Sequence, residues 1–257
     1  MPSSIALAIQ ALPDFPLIQP GDDLAGLIAV GLEQSGIDVC DRDVLVVAQK
    51  VVSKAEGRLV DLAAVTASPR AVALAAEVGK DPRLVEVILA ESVRVVRSRP
   101  NLLIMQHRLG FVMANAGVDH SNVAAPDGPE VVLLLPIDPD RSAAAMRTRL
   151  ADRFGVSPAV VISDSFGRPW RRGTCGVAIG AAGLASLVDL RGQPDLFGRR
   201  LKVTLVGLAD EVAAAASLLQ GQAQEGRPIV LVRGLVWSAP EAPAAALVRP
   251  AEEDLFR

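Results

Sequence analysis

Short runs of β-branched and small apolar residues recur along this chain, each broken within a few positions by glycine, proline or charge. Residues 43–48, 131–135, 159–162, 201–208 and 228–234 have this form and read as buried strands, because strand-length apolar runs bounded by turn formers have too few residues for a helix. Residues 5–9 read as a first strand. The runs at 93–97, 102–107 and 110–113 alternate or stay apolar around turn residues, which predicts consecutive antiparallel strands. Helical periodicity covers 24–34, 141–154 and 209–219, and 69–92 reads as a helix in two pieces, the second with Leu84, Val85, Ile88 and Leu89 on one face. The expectation is an α+β fold with mixed, largely antiparallel sheets and flanking helices, in a single unit over residues 1–257 without repeats or an interdomain linker.

Composition narrows the function classes. A formal net charge of -3 over 257 residues provides no basic field for nucleic acid, and the chain has no tyrosine with which to build a stacking platform. Two cysteines, Cys40 and Cys175, are too few for a disulfide framework and lack metal-thiolate spacing, which fits a reducing cytoplasm. The N-terminal stretch lacks the charged region and long apolar core of a signal peptide, and Asp210 and Glu211 interrupt the longest candidate membrane span.

The densest chemistry lies at 162–176. Asp164 and Ser165 sit where the 159–162 strand is expected to end, and a carboxylate beside a hydroxyl offers hard oxygens to Mg²⁺ or Mn²⁺. Arg168, Arg171 and Arg172 follow, with forked donors that match phosphate or carboxylate. A strand ending in Asp-Ser before a turn is also common, and the arginines read equally as a solvated loop with Trp170 plugging a core edge.

Other stretches carry weaker signals. The Pro-rich loop 15–23 precedes a helix that Asp22 or Asp23 can cap, and it reads as an anchor beneath that helix or as backbone presented to a base. Lys50 and Lys54 follow a buried strand and are spaced so that both can face one site, without Walker-loop spacing. Residues 114–122 are small and polar. Asp119 and Asn122 there fit an Asx-turn or, for Asp119, a second metal carboxylate beside Asp164. His120 reads as a turn residue. Residues 177–183 are small enough for close backbone packing but lack the dinucleotide glycine order, and 220–228 is a glycine-bounded loop whose Gln222 and Glu225 can reach a ligand or merely form a turn.

Taken together, Gly21-Asp22-Asp23-Leu24, Val52-Ser53-Lys54-Ala55-Glu56-Gly57-Arg58, Asn115-Ala116-Gly117-Val118-Asp119 with Ser121-Asn122, Asp164-Ser165 with Gly167-Arg168, Ala209-Asp210-Glu211 and Val232-Arg233-Gly234 resemble one family. The chain is similar, over almost its whole length, to the coenzyme F420-0:L-glutamate ligases. The resemblance implies the gamma-glutamyl ligase fold and a GTP-dependent, amide-forming ligase that uses Mg²⁺ or Mn²⁺, with K⁺ as a further activator. It implies a homodimer acting on small molecules: a deazaflavin precursor, L-glutamate and GTP. Phe15, Pro16, Leu17, Ile18, Gln49, Lys50, Lys54, Asn122, Gln220, Gly221, Ala223, Gln224, Glu225, Gly226 and Arg227 would contact the nucleotide. Asp119, Asp164, Ser165 and Gln222 would hold metal, with Asp119, Asp164 and Lys54 as the catalytic set. Arg168, Arg171 and Arg172 are expected to clamp the substrate's acidic groups, on their chemistry rather than on a family pattern.

Two departures stand out. Gln222 occupies a position that is acidic in archaeal members, and a neutral amide oxygen is the weaker ligand for a hard cation; Ser165 stands where threonine is common and keeps the hydroxyl. The expectation is a catalytic unit ending at Arg257 without the extra flavin-binding domain of some bacterial relatives. Two rivals use the same residues: a metal-dependent phosphohydrolase that activates water with the two carboxylates, and a GTP-binding sensor without turnover.

Overall fold

Strands as uniformly apolar as those at 44–48 and 159–162 need cover on both faces. In the computed structural model, which describes residues 6–123, 128 and 130–255, they lie side by side near the middle of a sheet. The strands are β1 (Ala8–Ala11), β2 (Val44–Ala48), β3 (Leu59–Asp61), β4 (Ser92–Arg99), β5 (Leu102–His107), β6 (Val112–Ala114), β7 (Val131–Leu133), β8 (Ala159–Gly167), β9 (Thr174–Ala182), β10 (Val188–Asp189), β11 (Leu205–Val206) and β12 (Ile229–Arg233). The helices are α1 (Leu24–Gln34), α2 (Gln49–Ala55), α3 (Pro69–Val78), α4 (Pro82–Ala90), α5 (Pro139–Phe154) and α6 (Leu208–Gln220). The fold is mixed α+β.

Five strands form the main sheet in the order β1-β12-β2-β8-β9. Within it β2 and β8 run parallel, and the other pairings are antiparallel. Alternate residues feed opposite layers. Leu45, Val47, Val160, Ile162 and Leu231 pack with α1 and α5, through Ile28, Leu32, Met146 and Leu150 among others. Val44, Val46, Val161, Val230 and Val232 pack with Ala209, Val212, Ala213 and Ala216 of α6. Small residues on β9 let the helices come close: a Cβ on Gly180 would collide with the Pro139 carbonyl oxygen at the start of α5, and one on Gly176 with the Ala213 carbonyl oxygen of α6. Bidentate bonds of 2.8 and 2.6 Å from Arg233 Nε and Nη2 to the buried Asp43 carboxylate tie the end of β12 to the start of β2.

A third core lies under α3 and α4, where Ala75, Val78, Val85 and Ile88 meet Leu103, Met105 and Val132. The three-stranded sheet β4-β5-β6 and the ribbon β3-β7 frame it. Both helices start as their sequence demands, with Ser68 and Asp81 accepting bonds from Ala71 and Arg83 backbone N–H and with Pro69 and Pro82 in the first turn. Glu91 ties this region to the rest of the chain. Burial would raise its pKa, but His107, Arg58 and Arg108 around it hold it down at about 2, and Arg58 follows α2 while His107 ends β5.

Several expectations shift. The first strand is found at Ala8–Ala11, with 1–5 outside the described residues. The expected strand at 201–208 is reduced to Leu205–Val206, since Lys202 and Val203 project into solvent, Val203 being 83% exposed. The strand expected at 110–113 forms at Val112–Ala114, because Gly110 adopts φ 93° in the preceding turn. The largest change is at β8, which continues through Asp164 and Ser165 to Gly167 after a register shift between Ile162 and Ser163.

Candidate active site

Because β2 and β8 are parallel, both point the same way: β2 ends where Ala48 pairs with Ser163, and β8 runs on past that point through Asp164 and Ser165. α2 begins at the next residue, and its Lys50 and Lys54, four positions apart, point the same way. Asp119 is set opposite β7 by two backbone bonds exchanged with Leu133, of 3.1 and 2.9 Å. Lys50 Nζ lies 2.7 Å from Asp119 Oδ2, donates to the Ser121 carbonyl at 2.9 Å and also bonds Ser121 Oγ. Lys54 Nζ donates to the Asn122 carbonyl at 2.7 Å, and Asn122 Nδ2 reaches the Ala223 carbonyl at 3.0 Å. Two lysines thus bind one loop, and that loop grips a second.

Around these groups lies an open cleft of about 640 Å³. Its lining includes 15–18, Gln49, Lys50, Lys54, Asn122, Asp164, Ser165 and 220–227. Asp119 does not itself line it and joins through Lys50. Gln222 accepts a 2.8 Å bond from Ser165 Oγ, so the two residues expected to share a ligand are neighbours. Arg168, Arg171 and Arg172 are not part of the wall; they project from the β8–β9 turn. Trp170 does not plug a core edge, being 88% exposed. Ser163 and Ser121 went unforeseen as site residues: Ser163 lines the cleft and bonds Gln220, while Ser121 bonds both Lys50 and Asp119. Serines this ordinary leave no signal in a single sequence beyond their adjacency to Asp119 and Asp164.

The electrostatics separate the two carboxylates. For Asp119, burial would raise the pKa, but hydrogen bonds from Lys50 and Ser121 outweigh it and the net shift is downward. For Asp164, only partly exposed yet closely surrounded by protein, desolvation dominates and pushes the pKa to about 6, against a weaker lowering by the Ser165 N–H and Lys50. Lys54 is lowered by desolvation first and then by the charge of Lys50. One carboxylate already faces a cation; the other has no comparably close counter-charge.

This donor set fits a hard divalent ion. Among the described residues no group of three or more His, Cys, Asp or Glu side chains could hold a metal, so a cation here would draw on Asp119, Asp164, the Ser165 hydroxyl and the Gln222 amide oxygen. Mg²⁺ is commonly held by one or two carboxylates completed by substrate phosphate and water, and the Lys50 ammonium on Asp119 stands where positive charge is called for. The cleft also suits phosphate, since Arg227 Nε is buried without a hydrogen-bond partner in its wall.

The F420-0:gamma-glutamyl ligase family profile matches residues 14–234, a span that takes in the whole cleft. The chain belongs to this family. Its relatives include proteins named coenzyme F420:L-glutamate ligase in three organisms. That of Methanopyrus kandleri is 49% identical over 256 residues, covering 98% of both chains. That of Methanothermobacter thermautotrophicus is 44% identical, covering 98% of this chain and all of the relative. That of Archaeoglobus fulgidus is 43% identical, covering 94% and 93%. No helix among the described residues is long and apolar enough to cross a membrane.

Proposed function

We propose that this chain is a GTP-dependent ligase that adds L-glutamate, through its amine, to the carboxylate of the deazaflavin precursor F420-0, working with Mg²⁺ or Mn²⁺, with K⁺ as a further activator, as a cytoplasmic homodimer. The observation that carries this reading is a cleft, spanned by the ligase family match, whose wall brings Asp164 and Ser165 together with Lys50, which in turn holds Asp119 just behind the wall. A carboxylate is a poor acyl donor. Transfer of the γ-phosphoryl group to an acceptor carboxylate oxygen, with GDP departing, gives an acyl phosphate; the amine then forms the C–N bond as phosphate leaves and the nitrogen loses its proton. When bound, the metal would neutralise charge on the phosphoryl oxygens.

The chain's own part is placement and charge. Asp119 and Asp164 supply anionic ligands from two separate segments, Ser165 and Gln222 supply neutral ones, and Lys50, Lys54 and Arg227 supply donors to phosphate. Loop 15–18 offers an apolar seat for the base, with Leu17 86% exposed and free to be covered. Further γ-links would follow if the added glutamate's side-chain carboxylate re-enters as acceptor.

Mass spectrometry of the protein incubated with GTP, Mn²⁺, L-glutamate and F420-0 tests the reading, with controls lacking glutamate or acceptor. A product heavier by one or more glutamyl units is expected, with phosphate released in step. Phosphate release without glutamate or acceptor, and without mass gain, would replace the ligase by a phosphohydrolase; GTP binding with neither would indicate a sensor.

Gln222 offers a graded test of the metal set. Gln222→Glu adds a second charge beside Ser165 and is expected to tighten Mn²⁺ binding by about 10-fold in calorimetric titration at pH 7.5. The gain should shrink below pH 6, because a like charge raises the Asp164 pKa further. Unchanged Mn²⁺ affinity would remove Gln222 from the coordination shell.

A further inference from the structure

The β8 strand does not stop at the cleft. Ser165 and its partner Gly176 line the cavity, and the ladder continues through Phe166↔Cys175 and Gly167↔Thr174 into a turn at 168–173. That turn holds Arg168, Arg171 and Arg172, all exposed. Elsewhere Arg58, Arg83, Arg149, Arg153, Arg191 and Arg233 each face a carboxylate. The three guanidinium groups of the turn make no hydrogen bond or ion pair among the described residues, and residues 165–176 contain no acid. Trp170 stands among them, 88% exposed and at φ 64°. A bulky side chain in the left-handed region, displayed to solvent, costs strain and leaves apolar surface wet with no return in packing.

We propose that this hairpin turn recognises the acceptor of the ligation reaction, an acidic molecule carrying a flat ring system, with Arg168, Arg171 and Arg172 gripping its anionic groups and Trp170 stacking on its ring. The proposal rests on the ligase reading and extends it to the acceptor. Forked guanidinium donors suit phosphate and carboxylate oxygens, and an exposed indole is a stacking surface for any planar ring. The dimensions agree. Arg168 follows Ser165 by three residues, roughly 10 Å along an extended strand, so an acceptor reacting beside Asp164 and Ser165 would pass its remaining anionic and aromatic parts along the hairpin. GTP would take the other side of the cleft, against loops 15–18 and 220–227.

The test compares the full-length chain with the triple variant Arg168→Ala/Arg171→Ala/Arg172→Ala and with Trp170→Ala and Trp170→Phe, using F420-0 and GTP as separate ligands in calorimetric titration, and light scattering for mass. The triple variant is expected to weaken F420-0 binding by about 100-fold, to flatten its salt dependence, and to leave GTP affinity and mass unchanged. Trp170→Ala should weaken F420-0 binding by about 10-fold, and Trp170→Phe should restore most of it. Wild-type affinity for F420-0 in the triple variant overturns the proposal. So does parallel loss of GTP binding, or a change of mass, either of which would make the hairpin a structural or subunit-contact element. Absence of F420-0 binding by the unaltered protein overturns it as well. If the unaltered protein binds F420-0 through the hairpin yet forms no glutamylated product, the ligase reading falls while the recognition role stands.

Discussion

Asp164→Asn is expected to reduce turnover by about 10³-fold while making the metal-free protein more resistant to heat. The two effects have one cause. Desolvation raises the Asp164 pKa from 3.8 to about 6, so at neutral pH the folded chain holds a carboxylate that would be more easily ionised in the unfolded state. A folded pKa above the unfolded one stabilises fully below the unfolded value, and that stabilisation is lost as pH rises through about 4 to 6. At pH 7 the penalty is of order 2–3 kcal/mol, and asparagine removes it while keeping an oxygen for the Ser165 N–H. Thermal melts without metal should therefore rise by several degrees in the variant. Adding Mn²⁺ and GTP should raise the wild type and leave the variant nearly unmoved. Full turnover in folded Asp164→Asn would remove this residue from the chemistry. Mn²⁺ affinity of the wild type should also fall below pH 6, as the ligand becomes protonated.

Lys50→Ala should weaken GTP binding by about 10- to 100-fold, measured by titration calorimetry with and without Mn²⁺. Lys50 is one of the few groups that touch both sides of the problem: it neutralises Asp119 and fixes the loop through the Ser121 carbonyl. Its removal leaves Asp119 desolvated without its ammonium, so the Asp119 pKa should rise. Asp119 has a lowered folded pKa, so the stability it contributes is present above the unfolded value near 3.8 and lost as pH falls through the folded one. Acid unfolding as pH falls below the unfolded value near 3.8 should accordingly be less steep in the variant. Lys50→Arg should rescue poorly, because a planar fork does not reproduce three bonds converging on one nitrogen. GTP affinity within 2-fold of wild type would show that Lys50 serves the loop alone.

The apolar strands and capped helices were legible because each follows from local pattern: Val44–Ala48 can be little else, and Ser68-Pro69 and Asp81-Pro82 announce their helices. What was hidden depended on neighbours distant in sequence. β8 continues through Ser163-Asp164-Ser165 because β9 is there to pair with it, and no polar residue in that run advertises a strand. α2 has no capping side chain at Ala48 and gives no start signal. In the site, the shared direction of Lys50 and Lys54 could be read from their spacing, whereas the meeting of Asp119 with Lys50 depends on β7 holding the backbone of Asp119 through Leu133. Trp170 was misplaced for the opposite reason: its composition argued for burial, and only the turn geometry shows that nothing covers it.

The position of β12 has a consequence for biosynthesis. It is the last strand among the described residues, yet it lies inside the sheet, between β1 and β2. A ribosome that has released everything through β9 still has a sheet with a gap where β1 and β2 cannot meet, and loop 220–227 has no anchored far end until Ile229–Arg233 is inserted. A nucleotide held by loop 220–227, as proposed above, would therefore find its seat only on the finished chain, and a truncated product lacking Ile229–Arg233 would not be stabilised by GTP.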